Sequence, residues 1–121
     1  MTPGSAIHLT ISSDPAALSV VRAVAARSAS MADLTLDEID DVCIAIDEAA
    51  LQLIGAGADT VRISIDASTG RLTAKLSAVG TIGDAPETPD AEVGRLILSA
   101  LVDELVFGAD SVTFVKRGVT V

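Results

Sequence analysis

Tryptophan and tyrosine are absent from this chain of 121 residues, and phenylalanine occurs only twice. Base stacking therefore lacks its usual platforms, and eight Lys and Arg against seventeen Asp and Glu leave no basic footprint for a phosphate backbone. Direct nucleic-acid binding is not expected. A net charge of −9 is also repelled by anionic lipid, and no apolar run approaches the roughly 20 residues of a membrane span, so the reading is of a soluble chain. The lone cysteine, Cys43, cannot close an internal disulfide, and residues 1–10 show no basic patch followed by an apolar block of the kind that marks a signal peptide. A cytoplasmic setting follows as the expectation. With one His and one Cys there is no zinc constellation, and any Ser-His-Asp or Cys-His relay would depend on His8 alone. Alternation in Ile7-His8-Leu9-Thr10-Ile11 places His8 opposite the three apolar residues, on the solvent side of a strand.

What the chain does have is hydrophobic content: half of its residues are apolar, which excludes disorder and supplies one core. About two-thirds of the unfolded surface of a chain this size can be buried, so residues 1–121 read as a single domain. The first strand ends at Ser12-Ser13. Asp14 as N-cap and Pro15 at the first helical position then predict a helix whose apolar positions Leu18, Val21, Val24 and Ala25 recur until about Ser30. A second helix opens with Thr35 as N-cap, Glu38 as its capping-box partner and a Leu34–Ile39 hydrophobic staple. Ile39, Val42, Cys43, Ile46, Ala49, Ala50, Leu53 and Ile54 form its core stripe, with Cys43 read as a small packed hydrophobe. Gly55-Ala56-Gly57 closes this helix.

Val61, Ile63 and Ile65 alternate with polar residues, and Ala67-Ser68-Thr69-Gly70 turns the chain into Leu72, Ala74 and Leu76, a hairpin pattern. From Val79 to Pro89 the composition shifts to Gly, Asp, Thr, Pro and Glu, a long loop and candidate lid. Thr88-Pro89 starts a third helix, expected to bury Val93, Leu96, Ile97, Ala100, Leu101 and Leu105. Two short strands, about Leu105 to Phe107 and Ser111 to Lys116, complete an α+β order: helices layered on one face of a mixed, mostly antiparallel sheet.

On the second helix Asp41, Glu48 and Gln52 fall away from the core stripe, with Glu48 and Gln52 one turn apart. Ile44 and Leu51 lie on the flank of the same outer side, where a solvated helix would carry polar groups. Something is expected to cover this face: the Gly-rich loop, a nucleotide or a second protein chain.

Three stretches resemble the anti-sigma-factor serine kinases of the GHKL, or histidine-kinase-like, ATPase superfamily. Leu36-Asp37-Glu38-Ile39-Asp40-Asp41-Val42-Cys43-Ile44-Ala45-Ile46-Asp47-Glu48-Ala49 is similar to the family's helix leading into its Glu-Ala-x-x-Asn box. Gly94-Arg95-Leu96-Ile97-Leu98-Ser99-Ala100-Leu101-Val102-Asp103-Glu104-Leu105 is similar to its glycine-led third helix ending in an Asp-Glu pair. Ser111-Val112-Thr113-Phe114-Val115-Lys116 follows in the place of its last strand, so the resemblance runs from about Ile7 to Lys116. It implies a two-layer GHKL-like (Bergerat) sandwich with three main helices on one face of the sheet.

For the site, the resemblance implies Glu48 as the general base of phosphoryl transfer. Gln52 stands where the family has a magnesium-binding Asn, and its extra methylene displaces the amide oxygen from a site that demands near-ideal octahedral geometry. Gly80 and Gly83 match the glycines of the adenine loop, but the family's Asp before them is missing, and Asp84 after them is not a clear substitute. Gly94 matches the third, phosphate-cradling motif, where Asp90 and Glu92 already occupy the helix start. Weak or lost ATP binding is thus expected, with no cofactor. The implied function is an anti-sigma-like regulator, a homodimer by family habit, binding a sigma factor or an anti-anti-sigma partner through Asp41, Ile44 and Leu51. The alternative is an active serine protein kinase using ATP and Mg2+ to phosphorylate such a partner. A dimeric scaffold with no sigma-factor link is a third possibility.

Overall fold

A computed structural model describes residues 6–83 and 87–119. Its elements run β1 (Ala6–Ser12), a 3-10 turn (Pro15–Ala17), α1 (Leu18–Met31), α2 (Leu36–Gly55), β2 (Thr60–Ser68), β3 (Arg71–Val79), α3 (Pro89–Leu101), β4 (Glu104–Phe107) and β5 (Ser111–Arg117). The strands lie in the order β1-β2-β3-β5-β4, and every pairing between them is antiparallel. Three helices cover one face of this five-stranded sheet, the α+β arrangement that the element order predicts.

The sheet forms because β2 and β3 alternate without a break. Val61, Ile63, Ile65 and Ala67 on β2, and Leu72, Ala74 and Leu76 on β3, are buried toward the helices. Gly70, at φ 76°, supplies the left-handed residue that the tight hairpin turn needs. Val112 and Phe114 of β5 extend the same buried layer. Mostly polar residues, with Val79, Val106 and Val115 among them, occupy the other face, which no helix covers. His8 is exposed there, as alternation requires, and at the far end of β1 Ile7 is exposed as well.

α2 is the central helix. Its N-terminus carries the expected reciprocal cap: Thr35 Oγ1 accepts from the Glu38 N–H at 3.2 Å, and Glu38 Oε1 accepts from the Thr35 N–H at 2.8 Å. Val42, Ile46, Ala49, Ala50 and Leu53 face the core, as the stripe predicts. Cys43 is half-buried, with Sγ 3.7 Å from the Arg22 carbonyl oxygen, and burial pushes its thiol pKa up, assisted by Asp40 and Asp47. It packs as a small hydrophobe.

Two expectations need correction. Pro15 does not begin an α-helix: Asp14 caps a 3-10 turn, accepting at Oδ1 from the Ala16 N–H and at its carbonyl from the Ala17 N–H, and α1 proper starts at Leu18. The buried side of α3 is also rotated. Gly94 and Leu98 are buried, whereas Val93 and Leu96 are 52% and 68% exposed, Ala100 is exposed, and Leu105 belongs to β4. A glycine contributes nothing to a hydrophobic pattern, so the periodicity settles on its apolar neighbours. The backbone settles on Gly94, where closest approach is possible.

Candidate functional site

Twenty unbroken helical residues carry α2 from its cap to Gly55, and this length places Glu48 and Gln52 under the first turns of α3. Gly94 is the point of contact. A Cβ added there would stand 2.6 Å from Glu48 Oε2 and 3.0 Å from Gln52 Nε2, so only glycine lets the two helices meet with both side chains in place. Glu48, Gln52 and Gly94 are thus brought together.

Gln52 does not face outward as its place off the core stripe predicts; it is buried, 8% exposed. Its Nε2 donates to the Ala91 carbonyl at 3.0 Å, and its Oε1 accepts from Arg95 Nη1 at 3.4 Å. One side chain of α2 is therefore gripped by two residues one turn apart on α3. Helix α3 of the same chain covers this part of α2. Arg95 and Ala91 escape sequence reasoning, although Ala91 and Gly94 leave one traceable signal: two small residues a turn apart, suited to close helix packing.

Glu48 is half-buried, and burial, then the neighbouring Asp47, raises its pKa above the ordinary carboxylate value. With Leu51, Gln52, Gly55, Thr88, Asp90 and Ala91 it lines a cleft of about 320 Å³. Asp90 therefore shares the cleft with Glu48, and two carboxylates face the same space. A second cleft of about 400 Å³ lies beyond Gln52, with Leu53, Ile82, Phe107 and Val112 as apolar walls and Arg95 among its polar residues.

Apart from Leu51, which lines the first cleft, the other predicted site residues lie away from this contact. Gly83 borders the second cleft, and its N–H donates to the Ala56 carbonyl at 3.0 Å. Gly80, at φ 101°, sits against Asp59, whose carboxylate would collide with any Cβ there. Asp84 lies outside the described residues. Asp41 accepts from Lys116 Nζ at 3.0 Å, and the same ammonium donates to the Leu101 carbonyl at 2.7 Å, which ties α2, β5 and the end of α3 together. Ile44 and Leu51 are 46% and 41% exposed, on the outer flank as expected. α3 covers Glu48 and Gln52 but leaves these two apolar side chains open. Among the described residues, no three His, Cys, Asp or Glu side chains gather closely enough to hold a metal ion.

No family model matches the chain, and no curated protein matches it in sequence. Among solved structures, the crystal structure of the RsbU and RsbW domains of Rv1364c from Mycobacterium tuberculosis aligns with 98% of the chain at a TM-score of 0.62 and 21% identity. The chain spans 36% of the length of that protein chain. The likeness is one of fold: three helices on a five-stranded antiparallel sheet.

Proposed function

We propose that this chain is an anti-sigma-like regulator that works by protein contact, binding a sigma factor or an anti-anti-sigma protein without using a nucleotide. The observation that carries this reading is the Gln52 clasp. Gln52 occupies the place where the resemblance expects a magnesium ligand, yet its one acceptor oxygen faces the Arg95 guanidinium, a cation that does not deprotonate in proteins. Magnesium would have to displace that guanidinium. The adjoining cleft adds Glu48 and Asp90, two carboxylates that repel a polyphosphate. This donor set does not suit a magnesium nucleotide, and the fold likeness to an RsbW-containing protein supports the regulatory role alone.

The contact surface in this proposal is the outer flank of α2 around Ile44 and Leu51. Exposed apolar side chains within an acidic surface suit a basic partner, and a net charge of −9 would speed the encounter. Asp41 is tied to Lys116 and supplies field more than direct contact. Residues 1–121 act in this account as one domain, in the cytoplasm and as a homodimer. The test is biolayer interferometry against purified sigma factors and anti-anti-sigma proteins of the source organism. One of them should bind, with an on-rate that falls as salt rises, and Ile44→Asp or Leu51→Asp should weaken it about tenfold or more. Failure of every such protein to bind would overturn the proposal.

One observation favours the alternative of a serine protein kinase: burial of Glu48 moves its pKa toward the range useful in a general base. Phosphate transfer from ATP to an anti-anti-sigma protein, abolished by Glu48→Gln, would establish that reading instead.

A further inference from the structure

The face of the sheet turned away from the helices carries a charge opposite to that of the whole molecule. By the alternation and register of the strands, Arg62, Arg71, Lys75 and Arg117 project from it, four of the chain's eight Lys and Arg. Among the described residues, Asp66 and Glu104 project beside them, and at the same edge Asp103 accepts from the Arg117 N–H at 2.6 Å. Arg117 pairs with Glu104, while Arg62, Arg71 and Lys75 form no ion pair among the described residues. A net-positive surface thus backs a chain of charge −9. Between them Thr10, Ser64, Thr73, Ser77 and Thr113 offer short hydroxyl donors, and Val79, Val106 and Val115 are the larger apolar residues of the face. Between β1, β2 and β3 the face dips into a groove of about 260 Å³ whose polar walls include His8, Arg62, Ser64 and Lys75.

The register adds a second sign. Arg71 stands directly opposite Arg117 across β3 and β5, and like charges in that position destabilise a sheet. A local rule broken at an exposed face, relieved by Glu104 on the Arg117 guanidinium and Asp103 on its backbone N–H, is expected where binding matters.

We propose that this open sheet face docks an acidic polypeptide segment of another protein, laid along β2 and β3 with its carboxylates on Arg62, Lys75 and Arg71. The occupant follows from charge. A second copy apposing the same face about a twofold axis would set Arg62, Arg71 and Lys75 against themselves. A nucleic acid would find no aromatic side chain on this face for its bases to stack on, since Phe107 and Phe114 lie on the helix side. A short acidic segment needs no such platform. The outward charges of the helices lie across the whole core from this face, so at about 0.1 M salt, with a Debye length of about 10 Å, the sheet face acts largely on its own. This surface is separate from the α2 flank, and the inference does not depend on the function proposed above.

The test is a titration of the full chain, followed by its amide NMR spectrum at about 0.1 M salt, with a poly-glutamate peptide of about ten residues. The peptide's extended length of about 33 Å matches the nine-residue strands β2 and β3. Shifts should concentrate at His8, Thr10, Arg62, Ser64, Lys75 and Ser77, and a poly-glutamine peptide of equal length should produce none. The Arg62→Glu/Lys75→Glu double variant should weaken binding about tenfold or more with an unchanged melting temperature. If that variant does not fold, Arg62→Gln/Lys75→Gln should weaken it severalfold. Shifts centred on α2 or α3, equal binding by the folded charge variant, or equal binding by poly-glutamine would overturn the proposal. Tighter binding of an oligothymidylate would assign the face to nucleic acid. Loss of a dimer in sedimentation on the same substitutions would assign it to a second copy, and either result would also overturn it.

Discussion

Glu48 and Glu38 lie on the same helix with opposite electrostatic fates. At Glu48, burial and the Asp47 charge both oppose ionisation, so its folded pKa lies above the unfolded value. The stability this carboxyl contributes is full below the unfolded value and is lost as pH rises through the folded one. Glu48→Gln should therefore melt at a higher temperature than the native chain at pH 7, with the difference closing as the pH falls below the ordinary carboxylate range. A native chain that melts higher at neutral pH would mean that a bonding partner holds the carboxylate. At Glu38 the sign is reversed. The backbone bond from Thr35 is the largest effect lowering its pKa; burial opposes it, and bonds from Val119 and the Thr35 side chain and the Lys116 charge reinforce it. That stability is present above the unfolded value and is lost as pH falls through the folded one. Glu38→Gln can keep only one of the two N–H bonds, to Thr35 or to Val119, and should cost about 1 to 3 kcal/mol at pH 7 in denaturant melts, less in acid. No difference at neutral pH would show that these bonds do not survive in solution.

Between elements, the contact that defines the site is one buried amide. Replacing Gln52 with Ala removes its bonds to Ala91 and Arg95 and should cost about 1 to 2 kcal/mol. Amide hydrogen exchange in α3 should then quicken well before that in α2, because α3 is the element the clasp holds. Equal acceleration in both helices would mean that Gln52 supports the whole core instead. Ile46, fully buried at the centre of α2, should cost about 2 to 5 kcal/mol when replaced by Ala, and a loss below about half a kcal/mol in denaturant melts would contradict its place in the core. The contrast between these residues shows what was legible in the sequence. Ile46, the Thr35–Glu38 cap and the hairpin at Gly70 depend on neighbours within a few residues, so local pattern reveals them. The burial of Gln52 depends on a carbonyl 39 residues away, on a helix whose phase is set by a glycine. No local pattern carries that information. The tie between Glu38 and Val119 was hidden for the same reason.

For the molecule as a whole, charge is divided between two layers. Acidic residues populate the helices, exposed Ile44 and Leu51 lie among them, and the open sheet face is basic. On this account the helical side meets a basic partner and the sheet side an acidic one, with α3 clasped over α2 where a nucleotide would otherwise be held. That clasp is the central claim. Its most direct test is calorimetric titration of the full chain with Mg-ATP. A dissociation constant weaker than about 10 μM, less than about 7 kcal/mol of binding, is expected. A constant tighter than that would contradict it and return Glu48 to the role of base.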